Sequence, residues 1–173
     1  DAEFAGFKPR LGVLLPLSGP DGHYGSEILA GMRLANEDAG DLFDLVEVDT
    51  GWEYPTVQSQ SGSERLKIVQ SEGSKLVRNL HGVRRLADDQ DVVAIIGPIF
   101  STSAVVAAAI AENAGVPLIA PLAQQSGLDS LGDFIFQLSM VSEVQARALA
   151  EYATLVLGME TLVVLAPLTD YGW

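Results

Sequence analysis

Three consecutive hydroxyl residues, Ser101-Thr102-Ser103, open an alanine-rich segment that reads as a helix. The first turn of a helix leaves backbone N–H groups without carbonyl partners, and the helix dipole places positive potential there. Such a start favours a carboxylate or a phosphate, and hydroxyls beside it add donors. The same residues also have a simpler use, because Ser101 can serve only as the helix cap. A second candidate is Tyr24, which follows Gly22 and His23 on a loop that also carries Gly19 and Gly25. A tyrosine on such a loop is either a wall for a ligand or a lid over its own helix.

Other reactive side chains do not form a constellation. His23 reads as a solvated loop residue and His81 as a half-exposed helix residue, and so distant a pair makes no metal site. The chain has no cysteine, which excludes thiol catalysis, disulfides and cysteine metal sites. The acidic pair Asp88-Asp89 falls at a polar helix end and reads as solvated. No P-loop, H-E-x-x-H or G-x-S-x-G pattern is present. Neither a cofactor nor a metal is expected.

The elements that would carry these residues alternate regularly. Leu11 to Leu15 is an apolar run stopped by Pro16 and reads as a buried strand. A helix follows from about Ser26, with Ile28, Met32 and Ala35 on one face and Gly40 as its stop. Phe43 to Asp49 alternates, as a strand near a sheet edge does. The stretch from Gly51 to Gly73 is polar and reads as an excursion or loop, with one turn near Glu64 to Val69. Leu76, Leu80, Val83 and Leu86 then space a helix from about Gly73 to Asp88. Val92 to Ile96 is continuous and β-branched, so it predicts a central strand buried on both faces. Gly97-Pro98 breaks it, and the helix from Ser101 runs to about Asn113, its five alanines thin enough to lie close to a sheet. Val116 to Ala120 and Phe134 to Leu138 are further strands. Beyond Ser139 the pattern restarts, with a helix over 141–157 and an apolar strand over 161–166.

Strand and helix alternation without hairpin signals predicts an α/β fold with a doubly wound parallel sheet. For strand order 2-1-3-4-5, the ligand crevice opens beyond the carboxyl ends of strands one and three. The loops there are Leu17 to Gly25 and Pro98 to Ser103. These are also the segments richest in small and hydroxyl residues, so composition and topology point to one place.

Composition narrows the partners. The chain has 173 residues, 48% of them hydrophobic and 19% charged, enough for a full core. Its net charge of −13, with only 10 Lys and Arg together, argues against nucleic acid and an anionic membrane surface as partners. No apolar run reaches the length of a membrane span, and no leader segment is visible.

Several stretches resemble the type I periplasmic binding proteins, in particular the receptors for branched-chain amino acids. Leu11-Gly-Val-Leu-Leu-Pro-Leu-Ser-Gly-Pro, Tyr24-Gly25 and Ala30-Gly31-Met32 are similar to the family's opening. Ala94-Ile-Ile-Gly-Pro, Ser101-Thr-Ser and Gly115-Val-Pro-Leu-Ile-Ala-Pro are similar to its middle. Gln145-Ala-Arg-Ala-Leu-Ala and Asp170-Tyr-Gly are similar to its crossing into a second lobe. The resemblance implies an extracytoplasmic solute-binding receptor, periplasmic or at the cell surface, that serves the membrane permease of an ABC transporter. It binds a small polar ligand, such as an amino acid, between two lobes. It implies that Ser101, Thr102 and Ser103 take the ligand's carboxylate, and that Leu122, Ala123 and Gln124 line the site after the fourth strand. Gln124 stands where the family has threonine. Tyr24 and Tyr171 match the family's tyrosines. Residues 1–140 would form the first lobe and 141–173 the beginning of the second, so the sequence reads as a fragment of a two-lobed protein. The strand at 161–166 would then dock on the first lobe's sheet or pair with another copy of the chain.

Two other functions fit the fold class. One is a receptor-like domain used for regulation or protein interaction without transport. The other is a dinucleotide-binding enzyme, for which Asp49 would be the ribose-binding acid. The loop's Gly19, Gly22 and Gly25 do not have that fingerprint's spacing.

Overall fold

The computed structural model of the chain describes residues 8–51 and 64–165, with the backbone alone over 64–74. The described residues fall into two units, one ending at Ser139 and one beginning at Met140.

The first unit is built on five parallel strands, β1 (Arg10–Leu15), β2 (Asp44–Asp49), β3 (Val92–Ile96), β4 (Leu118–Ala120) and β5 (Ile135–Gln137). Their order is β2-β1-β3-β4-β5, so β1 lies between β2 and β3, the order that places the crevice beyond the carboxyl ends of β1 and β3. Helices α1 (Gly22–Asp38), α2 (Glu64–Ala87) and α3 (Ser101–Ala114) make the crossovers.

Alternation along β1 divides the core. Leu14 joins Val83 and Leu86 of α2, Ala104, Ala107, Ala108 and Ala111 of α3, and Ile95, Leu118 and Ile135 of the sheet. Val13 and Leu15 point the other way, to Leu29 of α1 and to Ile99. The alanine face of α3 is buried, as its thinness suggested.

Two glycines close the carboxyl ends of the central strands. A Cβ on Gly25 would lie 1.9 Å from the Pro16 carbonyl oxygen, so the start of α1 can rest on the end of β1 only with glycine there. Gly97 has φ +113, and its Cβ would lie 2.0 Å from the Leu14 oxygen. The first contact seats α1 on the end of β1, and the second seats the end of β3 against β1.

Several expected boundaries shift. Helix α1 starts at Gly22 rather than Ser26, because Gly25 provides close packing, not a turn. Helix α2 starts at Glu64, so Gly73 lies inside it. An interior glycine costs about 1 kcal/mol and does not by itself stop a helix. Residues 52–63 of the expected excursion lie outside the described residues. Strand β3 is not buried on both faces, since Val93 is exposed. Asp89 is not simply solvated: Arg10 reaches its carboxylate at 3.0 Å.

In the second unit, α4 (Ser142–Glu151) continues directly into a π-helical stretch, Tyr152–Val156, so helical backbone runs over 142–156, close to the helix expected over 141–157. The strand expected at 161–166 does not form over the described residues 161–165. The sheet has five other strands, and Leu165 is 96% exposed. An apolar run becomes a strand only where a neighbouring ladder accepts it.

Candidate functional site

The carboxyl ends of β1 and β3 carry the loops expected to flank the crevice. The loop after β1 is held from β2. The Asp49 carboxylate accepts hydrogen bonds from the N–H groups of Leu17 at 2.8 Å, Ser18 at 3.2 Å and Gly51 at 2.7 Å. Burial alone would raise the pKa of this carboxyl. The Ser18 hydroxyl and the three N–H groups outweigh that effect and lower it below its ordinary value. Asp49 is therefore committed to holding this loop.

The loop after β3 runs through a cis Gly97-Pro98 bond to Phe100, which caps α3 in an extended conformation. Ser101 is thus the first helical residue and not the cap that the sequence suggested. The Phe100 side chain makes no capping hydrogen bond. The carbonyl of Phe100 accepts from the N–H of Ala104 at 2.9 Å, so the N–H groups of Ser101, Thr102 and Ser103 have no carbonyl within the helix. The three hydroxyl residues separate in their surroundings. Thr102 is exposed, Ser101 is half-buried, and Ser103 is 2% exposed with its side chain in the fold. A ligand at this helix start would meet Ser103 through its backbone.

The loop after β4 reaches the same helix start. The Gln124 N–H donates to the Ser101 hydroxyl at 3.2 Å. The side-chain amide of Gln137, at the end of β5, donates to the carbonyls of Ala123 at 2.6 Å and Gln125 at 3.2 Å. The Ser139 hydroxyl donates to the Pro121 carbonyl at 2.8 Å. Within this loop the Ala123 side chain is fully buried in the core, and the Leu122 side chain is exposed. Ser101 and Gln124 are thus brought together, with Leu122 and Ala123 beside them in the chain.

Tyr24 lies on the first turn of α1, not on the loop before it. It is 47% exposed, and its ring centroid lies 3.8 Å from that of His23. Tyr171 lies outside the described residues. Among the described residues, no three metal-ligating side chains come together. No described helix is long and apolar enough to cross a membrane.

Sequence reasoning missed Lys75. From α2 its ammonium lies 3.2 Å from Asp21, the residue before α1, and 5.1 Å from the ring centre of Phe100, the residue before α3. No local pattern signals a contact across so many residues. Gln137 was also missed: its strand was legible, but which loop its amide would hold was not.

An open parallel α/β sheet, with loops gathered at the point where strand order reverses, places the chain in the class of doubly wound α/β folds. Within that class the chain belongs to the periplasmic binding protein family, whose model matches residues 8–173. Solved structures show the same fold. A leucine-binding protein from Thermotoga maritima aligns with 95% of this chain and 42% of its own, at 24% identity and a TM-score of 0.67. A substrate-binding protein of an ABC transporter from Desulfitobacterium hafniense, in complex with leucine, aligns over 95% of this chain and 43% of its own, at 21% identity and a TM-score of 0.69. A solute-binding protein from R. palustris, in complex with 4-hydroxybenzoate, aligns over 95% and 40%, at 16% identity and a TM-score of 0.68. The chain therefore spans less than half the length of these relatives. Among curated proteins none matches the sequence.

Proposed function

We propose that the chain is part of an extracytoplasmic solute-binding receptor of an ABC-type uptake system and not an enzyme. Residues 1–140 are its first lobe and 141–173 the beginning of its second. The ligand is a small polar molecule with a carboxylate, such as an amino acid, held between two lobes, and the downstream partner is a membrane permease. The observation that carries this reading is the start of α3. Three N–H groups without helical partners and the Ser101 hydroxyl meet there, where the loops after β3 and β4 join. A carboxylate there gains charge-assisted hydrogen bonds and the favourable end of the helix dipole. The net charge of −13 acts against an anion at long range. Screening at physiological salt limits that opposition beyond roughly 8 Å, so the local donors decide.

A second reading, a receptor-like domain for regulation or protein interaction, draws support from Gln124 in place of the family's threonine. The dinucleotide enzyme loses its main support, because Asp49 is occupied by three backbone N–H groups.

The test is calorimetric titration of the protein with both lobes present, using L-leucine, 4-hydroxybenzoate and NAD. Binding of either carboxylate, with no response to NAD, is expected. Silence toward both carboxylates in a folded protein favours the regulatory reading. Binding of NAD would overturn the receptor assignment.

A further inference from the structure

A single ammonium touches the residues that start both helices flanking the crevice. Lys75 Nζ lies 3.2 Å from Asp21 Oδ2, and its side chain is only 18% exposed. Asp21 immediately precedes α1 and its carbonyl accepts the Tyr24 N–H at 3.2 Å. The same ammonium stands 5.1 Å from the centre of the Phe100 ring, within range of a cation–π interaction. Phe100 immediately precedes α3, and its carbonyl accepts the Ala104 N–H at 2.9 Å. The Lys75 carbonyl is itself engaged by the side-chain amide of Asn79 at 2.8 Å.

Resting on the reading of this crevice as a ligand site, we infer that Lys75 is a positioning residue that couples the loop after β1 to the loop after β3. Asp49 holds only the first part of the β1 loop, at Leu17 and Ser18. The part nearest α1, with Tyr24 just beyond it, is held locally by the Gly22 N–H on the Gly19 carbonyl at 3.1 Å and by Gly25 against Pro16, and the Lys75–Asp21 pair adds a restraint that also reaches the other loop. The far side of that restraint is Phe100, whose backbone sets where the first N–H groups of α3 stand. Lysine usually leaves its charge in water on a flexible stem. Here the stem and charge are largely covered, so solvent screens the ion pair less than it would a surface pair. An ordinary structural ion pair would stabilise one contact. A coupler must restrain both loops together, and that difference can be measured.

The experiment compares the parent protein, both lobes present, with Lys75→Met and Lys75→Arg. Methionine keeps an unbranched stem of similar length and removes the charge, whereas arginine keeps the charge and can still stack on Phe100. Amide exchange is followed without ligand at Gly22 and Tyr24 in one loop and at Ala104 beyond the other. Affinity for L-leucine and 4-hydroxybenzoate is measured in parallel. Lys75→Met is expected to speed exchange at all three amides together and to weaken whichever carboxylate binds by about tenfold. Lys75→Arg is expected to restore both properties. Unchanged exchange, acceleration in one loop only, or unchanged affinity despite loosened loops would each overturn the inference. If the parent protein binds neither carboxylate, the proposed function fails, and the exchange of the two loops alone decides whether Lys75 couples them. If Lys75→Met does not fold, Asp21→Asn takes its place, with the same three amides as the readout.

Discussion

The Ser101 hydroxyl oxygen accepts a hydrogen bond from the Gln124 N–H at 3.2 Å, joining the start of α3 to the loop after β4. A serine hydroxyl that accepts one bond still has its proton to donate. Ser101 can therefore hold the neighbouring loop and offer a donor to a carboxylate at the same time. Each hydrogen bond to a charged group contributes about 1.5–3 kcal/mol. Ser101→Ala is expected to weaken binding of a carboxylate ligand by about ten- to a hundredfold. A ligand analogue with an amide in place of the carboxylate should lose much less. Calorimetry with the matched pair checks this, and equal losses for both would confine Ser101 to its contact with Gln124.

The loop after β1 should depend on pH through Asp49. Its carboxyl is held below the ordinary value of 3.8 by the Ser18 hydroxyl and three backbone N–H groups, against the opposing effect of burial. A depressed folded-state pKa contributes stability that is fully present above the unfolded value. That contribution is lost as pH falls from about 4 through the folded value. The parent protein should therefore be more stable than Asp49→Asn at neutral pH, and the gap should close on acidification below about pH 4. Urea midpoints of the two proteins at several pH values measure it. A gap that stays constant across that range would remove the titration of Asp49 from the loop's stability.

Gly97 combines two constraints, a φ of +113 and a Cβ position 2.0 Å from the Leu14 oxygen. Backbone strain at such an angle costs roughly 1–3 kcal/mol for a non-glycine residue, and overpacking costs a similar amount. Gly97→Ala should lower the unfolding free energy by about 3 kcal/mol or more. Gly31 offers a control, since a Cβ there meets nothing within 4 Å, and Gly31→Ala in the middle of α1 should be neutral or slightly stabilising. Denaturant unfolding of both variants tests the pair.

What the sequence made legible follows from the range of the interactions involved. The strand–helix alternation and the placement of Ser101-Thr102-Ser103 at a helix start depend on local periodicity, which residue types record, whereas alternation alone fits more than one doubly wound order and β2-β1-β3-β4-β5 is the one expected of a lobe like those of the periplasmic binding proteins. Gly25 was misread because a glycine's contact with Pro16 O leaves no mark that distinguishes it from a turn glycine. The start of α2 was misplaced because glycine and serine punctuate both loops and long helices. Residues 161–165 have a strand's composition, but a strand also requires a partner, which composition does not record. Lys75, Asp49 and Gln137 act through contacts between distant elements. Their residue types alone equally suited a solvated surface.

The loop after β4 is expected to depend on Gln137. Its side-chain amide donates to two carbonyls, Ala123 at 2.6 Å and Gln125 at 3.2 Å. The Ala123 side chain is fully buried, so removing its donor leaves the Ala123 carbonyl poorly placed to recruit water. Leaving a buried acceptor unsatisfied costs about 1–3 kcal/mol. Gln137→Leu should therefore lower stability by about that amount and speed amide exchange at Gln124, whose N–H is held by Ser101. Gln137→Glu separates hydrogen bonding from packing, because it keeps the shape and replaces a donor with an acceptor. At neutral pH a carboxylate facing two carbonyl oxygens is repelled, so its pKa should rise in the folded protein. A raised pKa means that relative stability is present when the new carboxyl is protonated and is lost as pH rises through its folded value. Measured against the parent protein at each pH, Gln137→Glu should be costlier than Gln137→Leu at pH 7 and should recover part of the loss toward pH 5. A penalty for Gln137→Glu that does not change with pH would show that the amide's two bonds do not hold this loop.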